Sequence, residues 1–378
     1  MPTTSRQLIP IAQPLISEED KRRVLDVLSS GQLVAGPRVA EFERRFAEYV
    51  GTPHAVAASS GSTALMAALR AAGVGPGDRV VTTPFSYGAT ASTILSCGAE
   101  PVFADIDPRT YNLDPDAVAE TLRRQPGVRA ILVVHLYGLP CAMDRFETLA
   151  KSHGAMMIED AAQAHGASFR GRRAGAFGRA AAFSFYPSKN ITTGEGGMVT
   201  AADPDVADRA RLFVRGGERQ QYQYEAEGYN YRMTEMAGAL GIGQLSRLDG
   251  WNQQRRHNAA RLTAGLKDLD WLACPVAPEG CVHVYHQYTV RVPRGRDGLR
   301  RHLEAEAIGT RVYYPAPIHT TPFYRSRYGD SRCPEAVRAA DQVLSLPVHP
   351  GVGDADLERI VTAVRRFRPG SSSVGQNA

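Results

Sequence analysis

The chain has 378 residues, of which 43% are hydrophobic and 22% charged, as expected of a globular protein with more than one hydrophobic core. This composition excludes a disordered chain, a collagen-like chain and a small disulfide-stabilised protein. The formal net charge is +5, but the arginines are scattered among acidic residues, so the charge does not indicate a nucleic-acid partner.

The five cysteines include no CxxC pair, which indicates free thiols in a reducing compartment rather than a disulfide framework or a zinc site. The N-terminal segment is polar and is then broken by Pro10. No apolar run approaches the ~18 residues that spanning a bilayer requires. These features predict a soluble cytoplasmic protein with no membrane partner.

Short apolar runs alternate with helical stretches from about residue 51 to residue 200. Most of the runs are continuously apolar, as in strands that helices cover on both faces. Helices are predicted over 62–72, 114–125 and 143–153. The pattern predicts an α/β fold with a doubly wound, mostly parallel sheet. The candidate strands are 55–58, 79–82, 101–104, 130–134, 155–158, 181–185 and 197–200.

The alternation of strand and helix patterns ends after residue 230, where Thr234 can cap a long helix that runs toward Leu262. Segments 286–292, 296–307 and 354–367 then suggest a smaller α+β domain. We therefore predict three parts of the chain: a large domain over 1–250, a small C-terminal domain over 251–368 and a flexible polar tail over 369–378.

A turn of small residues, Ser59 to Leu65, joins a candidate strand to a candidate helix. Free amides at a helix N-terminus, together with the hydroxyls of Ser62 and Thr63, can hold a phosphate. An ordinary helix N-cap formed by Ser60 or Ser62 accounts for the same residues. The turn alone therefore leaves both interpretations open.

The apolar run 156–158 ends in two carboxylates, Glu159 and Asp160. Ligands of open α/β sheets bind beyond the carboxyl ends of the strands, so Asp160 is placed to meet a charged part of a ligand. The alternatives are a helix N-cap at Asp160 and a satisfied buried histidine at His165. A metal site formed by His135, Asp160 and His165 lacks the HxxxH and HExxH spacings, and no metal is predicted.

The run Phe183 to Asn190, FSFYPSKN, delivers one lysine through a proline turn. The chain holds only four lysines against forty arginines. Arginine stays protonated, whereas lysine can lose its proton and form an imine when its surroundings depress its pKa. Lys189 is therefore predicted to do chemistry that arginine cannot. The GEGG turn at 194–197 is either a hairpin or a loop that allows close approach to the backbone.

A phosphate cradle, a strand-end aspartate and an imine-forming lysine are together what pyridoxal 5′-phosphate requires. With these residues in this order, the chain resembles the sugar aminotransferases among the fold-type I pyridoxal-phosphate-dependent enzymes. The resemblance runs from about residue 9 to residue 367 and includes the EDAAQAHGA run at 159–167, the FSFYPSKN run and the GYNYRM run at 228–233. It implies a large cofactor-binding domain followed by a smaller C-terminal α+β domain.

The resemblance also implies roles for individual residues. Lys189 would form the Schiff base with the cofactor and shuttle the proton between substrate and cofactor, and Asp160 would pair with the pyridinium nitrogen. Gln163 would contact the phenolic oxygen of the cofactor, and Tyr87 would stack on its ring. The phosphate would be bound by Gly61, Ser62 and Ser184.

Three further residues, Arg232, Tyr314 and His319, lie on segments that line the acceptor pocket in similar enzymes, although packing or surface solvation accounts for each of them equally. Asn230 would reach the phosphate of the partner subunit's cofactor, which implies a homodimer. Similar enzymes often carry a histidine before a glycine in the loop ahead of the GYNYR run. Here Gly216 precedes Gly217, a departure that concerns the acceptor pocket.

The implied reaction is a transamination in which an amino acid, most often L-glutamate, leaves its nitrogen on the cofactor and a keto sugar takes it up. Lys189 argues against the branch of the family that carries histidine at this position and dehydrates sugars. The NYRMT and GEGG runs favour a nucleotide-linked 4-keto-6-deoxy sugar, used in antibiotic or polysaccharide biosynthesis. The alternatives are a 3-keto sugar, a keto-cyclitol, or a non-catalytic regulator that binds the same cofactor.

Overall fold

The computed structural model describes residues 7–369, so the predicted flexible tail lies outside the described residues apart from Pro369. No helix in this part of the chain is long and apolar enough to cross a membrane. The helices of the described residues are α1 Glu18–Ser30, α2 Pro37–Val50, α3 Gly61–Ala72, α4 Ala89–Ser96, α5 Pro115–Arg124, α6 Met143–His153, α7 Pro204–Val214, α8 Glu235–Leu266, α9 Arg296–Ala305, α10 Pro322–Tyr328, α11 Pro334–Gln342 and α12 Asp354–Arg366.

The strands range from two to five residues in length. They are β1 His54–Ala58, β2 Arg79–Thr82, β3 Glu100–Phe103, β4 Ala130–Val134, β5 Met156–Asp160, β6 Ser168–Phe169, β7 Arg172–Arg173, β8 Ala180–Ser184, β9 Gly197–Ala201, β10 Glu218–Gln220, β11 Gln223–Tyr224, β12 Cys281–Val282, β13 Tyr288–Arg291 and β14 Val343–Leu346.

A seven-stranded sheet forms the centre of the fold, in the order β1-β9-β8-β5-β4-β2-β3. Strand β9 is antiparallel to both of its neighbours, whereas β8, β5, β4, β2 and β3 pair in parallel. Each of the seven strands predicted from the sequence overlaps one strand of this sheet. The predicted α/β fold with a mostly parallel sheet is confirmed.

Helices cover both faces of the central sheet. Helices α3 and α7 pack on one face, where Leu69 and Phe213 belong to a core rich in alanine and valine. Helix α2 packs on the other face because its apolar residues recur at helical spacing. Phe42 and Phe46 of this helix meet Phe183 and Phe185 of the β8 segment, with ring centroids 4.9 to 5.5 Å apart. This aromatic cluster fixes the position of the chain as it enters the Lys189 turn.

The long helix predicted after residue 230 is α8, and Thr234 is its N-cap, accepting a hydrogen bond from the amide of Ala237. Its first half packs on α1 and α2, and its last turns pack with α12, α9 and the β13–β14 pair in a separate core. This C-terminal unit mixes helices and strands as predicted. The predicted domain boundary at residue 250 falls inside α8, and the three-part division stays a prediction.

Candidate active site

The predicted chemical residues meet at the carboxyl edge of the central sheet. Asp160 is the last residue of β5, and Ser184 is the last residue of the neighbouring parallel strand β8. Lys189 follows β8 in a turn closed by its own amide, which donates to the Tyr186 carbonyl at 2.9 Å. The N-terminus of α3 begins beside Ser184 at Gly61. The strand order therefore brings together segments that lie more than a hundred residues apart.

Asp160 is 8% exposed, and both of its carboxylate oxygens accept hydrogen bonds. The amide of Ala162 donates to Oδ1 at 3.2 Å, and the hydroxyl of Thr90 donates to Oδ2 at 3.0 Å. Burial raises the pKa of Asp160, whereas the two hydrogen bonds and the charge of Lys189 oppose that rise. Residues 161–166 form turns rather than a helix, so Asp160 is not a helix N-cap.

Lys189 is partly buried, and its turn is anchored from behind. The side-chain amide of the next residue, Asn190, donates to Asn252 at 2.8 Å and to the carbonyl of Val284 at 3.2 Å. Burial lowers the pKa of Lys189 to about 8, against the opposing influence of the Asp160 carboxylate. Roughly one molecule in ten therefore carries a neutral Lys189 amine at pH 7, far more than for an ordinary lysine.

The residues predicted to bind a phosphate lie at the N-terminus of α3 and at the end of β8. Ser60 caps the helix through the Thr63 amide, and the Thr63 hydroxyl accepts from the Ser60 amide. This arrangement leaves the first-turn amides of Gly61 and Ser62 without partners inside the helix. The Ser184 hydroxyl lies so close that a Cβ placed on Gly61 would be 2.8 Å from Ser184 Oγ. Ser60 can therefore cap the helix and still leave the Gly61 and Ser62 amides to a ligand, because the amide from which its hydroxyl accepts is that of Thr63.

The glycine-rich turn at 194–197 packs against the same helix end. A Cβ on Gly197 would collide with the carbonyl of Ser60, which precedes the cradle. Gly197 begins β9 and pairs with Ala58, the last residue of β1. The turn therefore leads into a strand of the central sheet, and glycine is required where that strand passes the start of α3.

Gln163 lies in the turn after Asp160, and contacts at both ends fix its side chain. Its Oε1 accepts from the amide of Tyr137 at 2.7 Å, and its Nε2 donates to the hydroxyl of Tyr314 at 3.0 Å. Burial, together with the nearby Asp160 charge, raises the pKa of the Tyr314 phenol. Tyr314 therefore lies against the site residues and links the C-terminal part of the chain to them.

Tyr87 stands at the start of α4, where its carbonyl accepts from the amide of Thr90 at 3.0 Å. Its side chain is 65% exposed, and it is close enough to Tyr314 to influence the pKa of that phenol. A large aromatic ring left this open is unlike a core residue. Its position suits stacking on a planar ligand.

Arg232 and Asn230 lie beyond the N-terminus of α3, on the segment that leads into α8. Arg232 lines a cleft of about 340 Å³ together with Ser59, Thr193 and Glu195. Asn230 is exposed and bridges to Arg215 through the backbone. Asn230 therefore lies on the surface of the described chain.

His319 is placed differently from the other predicted acceptor residues. It is 2% exposed, its ring centroid lies 6.0 Å from that of Phe103, and burial lowers its pKa. The neighbouring Ile318 amide donates to the Pro84 carbonyl at 2.7 Å, which anchors this short turn behind the SYGAT segment. The structure gives His319 a packing environment and does not show it facing Lys189.

His165, the other histidine considered from the sequence, is fully buried. Its ring centroid lies 5.4 Å from that of Phe183 and 5.6 Å from that of Phe185. Burial lowers its pKa to about 3, so the ring is neutral. His165 is therefore a buried core residue, but neither of its ring nitrogens has a well-formed hydrogen bond among the described residues, so it is not the satisfied histidine of that alternative.

Sequence reasoning assigned no role to Glu159, which is fully buried directly before Asp160. His135 Nε2 donates to it at 2.9 Å, and the amides of Gly175, Phe177 and Gly178 each donate at 2.7 Å. Burial opposes ionisation, but these contacts outweigh it and hold the pKa of Glu159 below its ordinary value. Glu159 therefore ties the end of β5 to the loop that precedes β8.

Ser86 and Thr90 were also missed, although they flank Tyr87 in the same SYGAT run. Both hydroxyls are buried, and Thr90 contacts Asp160 directly. The available signal was a hydroxyl residue in the first turn of a helix that starts beside the predicted site.

With this geometry in view, the sequence pattern of the DegT/DnrJ/EryC1/StrS aminotransferase family matches residues 14–365. The chain belongs to this family. The dTDP-3-amino-3,4,6-trideoxy-alpha-D-glucose transaminase of Streptomyces venezuelae is 42% identical over 92% of this chain and 92% of its own. A protein of Geobacillus stearothermophilus named pleiotropic regulatory protein is 41% identical over 91% of this chain and 93% of its own.

A solved structure gives the same result for the fold of this DegT/DnrJ/EryC1/StrS family member. S. venezuelae DesV, in complex with a ketimine intermediate, superposes with a TM-score of 0.89 at 40% identity, covering 94% of this chain and 98% of its own. The chain is a pyridoxal-phosphate-dependent sugar aminotransferase. The site fits that cofactor, because it offers helix-end amides and a hydroxyl for a phosphate, a buried carboxylate for a ring nitrogen and a lysine of lowered pKa for an aldehyde.

Proposed function

We propose that Lys189 and Asp160 are the catalytic pair of this aminotransferase. The observation that carries the proposal is their shared position at the carboxyl edge of the sheet, where burial lowers the pKa of the lysine to about 8 while the carboxylate charge acts on it. When bound, the cofactor supplies an electron sink that acidifies the hydrogen on the amine-bearing carbon. Lys189 Nζ takes that proton and returns it on the cofactor side, because an amine with a pKa near 8 both accepts and releases protons at working pH.

The remaining cofactor contacts follow from the same geometry. Asp160 holds the ring nitrogen in its protonated form, and Gln163 offers its second Nε2 hydrogen to the phenolic oxygen, since the first is given to Tyr314. The amides of Gly61 and Ser62 and the hydroxyl of Ser184 bind the phosphate at the positive end of α3. Tyr87 covers the ring from the solvent side.

The proposed amino donor is L-glutamate, and the proposed acceptor is a nucleotide-linked 4-keto-6-deoxy sugar. The NYRMT and GEGG runs support this acceptor. Arg232, which lines the cleft beside Ser59, would offer it a cation, and Tyr314, which contacts Gln163, would offer it a phenol. A second candidate is a 3-keto sugar, which is favoured by the name of the 42% identical relative, a transaminase that makes a 3-amino sugar. His319 is also proposed to lie on the acceptor side. The hydrogen bond from the Ile318 amide to the Pro84 carbonyl keeps its turn behind the SYGAT segment.

We also propose a homodimer in which Asn230 reaches the cofactor phosphate of the partner subunit. Asn230 is exposed, and the neighbouring hairpin carries Tyr222 and Tyr224 with 75% and 68% of their side chains exposed. Exposed aromatic residues of this density suit an interface. All five cysteines are free, in keeping with the cytoplasmic location that the sequence suggests.

The test of this function has two halves. The purified holoenzyme should be yellow and should lose that colour on incubation with L-glutamate, releasing one equivalent of 2-oxoglutarate. A protein that is yellow but is changed by no amino donor would refute transamination by this site. The D-enantiomer of glutamate serves as the matched control and should leave the colour unchanged.

The second half identifies the acceptor. The enzyme treated with glutamate is offered nucleotide-linked 4-keto-6-deoxy and 3-keto hexoses and keto-cyclitols, and the products are weighed by mass spectrometry for exchange of the ketone for an amine. Amination of the 4-keto substrate supports the first candidate, and amination of the 3-keto substrate alone supports the second. Amination of a keto-cyclitol alone would overturn both.

A further inference from the structure

A chain of two buried hydroxyls leads into the Asp160 carboxylate. Thr90 Oγ1 lies 3.0 Å from Asp160 Oδ2, and Ser86 Oγ lies 2.8 Å from Thr90 Oγ1. Thr90 is 1% exposed and Ser86 is 4% exposed, so bulk water does not compete for these contacts. None of the cofactor roles described above uses either hydroxyl.

The chain has a direction that the charge of Asp160 sets. A hydroxyl has one proton to donate, and an ionised carboxylate can only accept. Thr90 must therefore give its proton to Asp160, and Ser86 must give its own to Thr90. Since hydrogen bonds to the charged form favour that form, this arrangement favours the carboxylate over the neutral acid. A neutral Asp160 would have to reverse the direction of the chain.

We propose that Thr90, supported by Ser86, is a positioning residue that keeps Asp160 ionised and aimed at the ring nitrogen of the cofactor. The inference rests on the role of Asp160 proposed above and assigns to two further residues the task of maintaining it. It also explains why a carboxylate as buried as Asp160 can serve as a counter-ion, since burial alone would neutralise it.

The contrast with Thr93, on the same helix, supports the assignment. Thr93 is also buried, but its hydroxyl donates to the Ala89 carbonyl at 2.8 Å, the usual local arrangement for threonine in a helix. The hydroxyl of Thr90, in the first turn, leaves the helix and meets Asp160 across seventy residues of sequence. The amide of Thr90 is held by the Tyr87 carbonyl at 3.0 Å, which fixes the backbone from which the hydroxyl projects.

Three other titratable groups act on or respond to Asp160, and none replaces Thr90. Lys189 is the nearby cation, but it is also the group that reacts with the cofactor. His135, at the end of β4, already donates to Glu159. Tyr314 lies on the C-terminal side, and its phenol takes the hydrogen bond of Gln163. Thr90 is the neutral side-chain donor to Asp160 Oδ2, as the Ala162 amide is to Oδ1, and it stays in place whether or not Lys189 has bound the cofactor.

The experiment measures the affinity of the apoenzyme for two probes. Pyridoxamine 5′-phosphate carries the ring nitrogen but cannot form an imine with Lys189, and its 1-deaza analogue has a carbon in place of that nitrogen. Thr90→Val keeps the shape of the side chain and removes its hydroxyl. We expect this variant to bind pyridoxamine 5′-phosphate about tenfold more weakly and to bind the deaza analogue as the wild type does.

Companion variants separate the hydroxyl from the fold. Thr90→Ser should restore binding, Ser86→Ala should give a smaller loss confined to pyridoxamine 5′-phosphate, and Thr93→Val should change neither affinity. The acid limb of pyridoxamine 5′-phosphate affinity should move to higher pH in Thr90→Val, because Asp160 then takes up its proton more readily.

The outcomes distinguish this inference from the proposal beneath it. If Thr90→Val weakens both probes equally, or neither, Thr90 has no special relation to the ring nitrogen and the inference is wrong. If the wild-type apoenzyme binds the two probes with equal affinity at every pH, then Asp160 does not serve the ring nitrogen, and the role assigned to Asp160 fails first.

Discussion

Gly61 and Ser184 approach so closely that a Cβ on Gly61 would lie 2.5 Å from the Cβ of Ser184. The contact joins the first residue of α3 to the last residue of β8. It places a hydroxyl beside the unpaired amides of a helix N-terminus, which is the arrangement a phosphate needs. Any side chain larger than hydrogen at position 61 would push the two apart.

Gly61→Ala should therefore weaken cofactor binding and destabilise the protein by ~1–3 kcal/mol, because the added methyl cannot be accommodated without moving β8 or α3. Thermal unfolding of the apoenzyme and cofactor titration measure the two effects. Gly250→Ala is the matched control, since position 250 lies in α8 with open space around it. That change should leave cofactor affinity unchanged and stabilise the helix slightly. Equal behaviour of the two variants would contradict the cradle.

Capture of pyridoxal phosphate by the apoenzyme should depend on pH through Lys189. Because the pKa of Lys189 is lowered from 10.5 to about 8, the amine is cationic and unreactive below this value and neutral above it. The capture rate should rise with pH and level off above about 8. Stopped-flow mixing of apoenzyme and cofactor measures this rate. A rise that continues to pH 10 would show an ordinary lysine, and Lys189→Ala should remove the reaction altogether.

Glu159 should be needed for stability rather than for chemistry. Glu159→Gln leaves three loop amides and His135 with a weaker acceptor, and we expect a loss of ~3 kcal/mol in the free energy of unfolding. Since the folded-state pKa of Glu159 is lowered, its contribution is present above the ordinary carboxyl pKa and is lost as the pH falls through the folded value.

Urea unfolding at several pH values checks this expectation. The difference between wild type and Glu159→Gln should be full at pH 7 and should shrink in acid. Asp116→Asn is the control, because that carboxylate is paired with Arg145 on the surface and should matter little. A difference between wild type and Glu159→Gln that persists unchanged into strong acid would contradict the role of the Glu159 charge.

Removal of the Tyr314 hydroxyl should affect the sugar half of the reaction. Tyr314→Phe removes the phenol proposed to meet the acceptor, and one neutral hydrogen bond is worth ~1 kcal/mol, so kcat/KM for the acceptor should fall about fivefold. Cofactor affinity should change little, because Gln163 keeps its contact with the Tyr137 amide. Tyr313→Phe is the control, since Tyr137 contacts the backbone carbonyl of residue 313 and not its ring. Equal effects of the two changes would contradict a role for the hydroxyl.

Mixed dimers test whether Asn230 acts across the interface. Subunits with Lys189→Ala and subunits with Asn230→Ala should each be impaired at limiting cofactor. If Asn230 serves the partner's site, a hybrid dimer contains one site with both residues intact, and random mixing should restore about a quarter of the wild-type sites. Activity that does not rise on mixing and exchange of subunits would place Asn230 in its own subunit's site or outside the site.

Most of the sheet could be predicted from the sequence because buried parallel strands are continuous apolar runs, as in Ala130–Val134. Helices α1 and α2 were not predicted, although Ser17 and Pro37 stand at their starts as ordinary start signals. Their apolar faces can be recognised only in the fold, where α8 and the phenylalanines of the β8 segment cover them.

Lys189 was predicted because a rare residue type stood in a short turn, and Asp160 because it ended an apolar run. Glu159 ends the same run, but nothing in the sequence separated its role from that of Asp160, and Thr90 gave no comparable signal. A threonine in a helix usually bonds within the helix, as Thr93 does, and only the fold shows that Thr90 does not. The acceptor role of His319 stays a prediction, because its burial beside the Phe103 ring also fits the packing alternative that the sequence left open.

Helix α8 has a consequence for any attempt to exchange acceptor preference between relatives by recombination. It runs unbroken for 32 residues, about 48 Å, from the aromatic core of the sheet into the C-terminal core. A crossover at residue 250 would join halves of one helix from two parents and disrupt both of its packing surfaces at once. A chimera joined after Leu266 would inherit the whole helix from one parent, and the Gln163–Tyr314 contact would then join residues of two different parents.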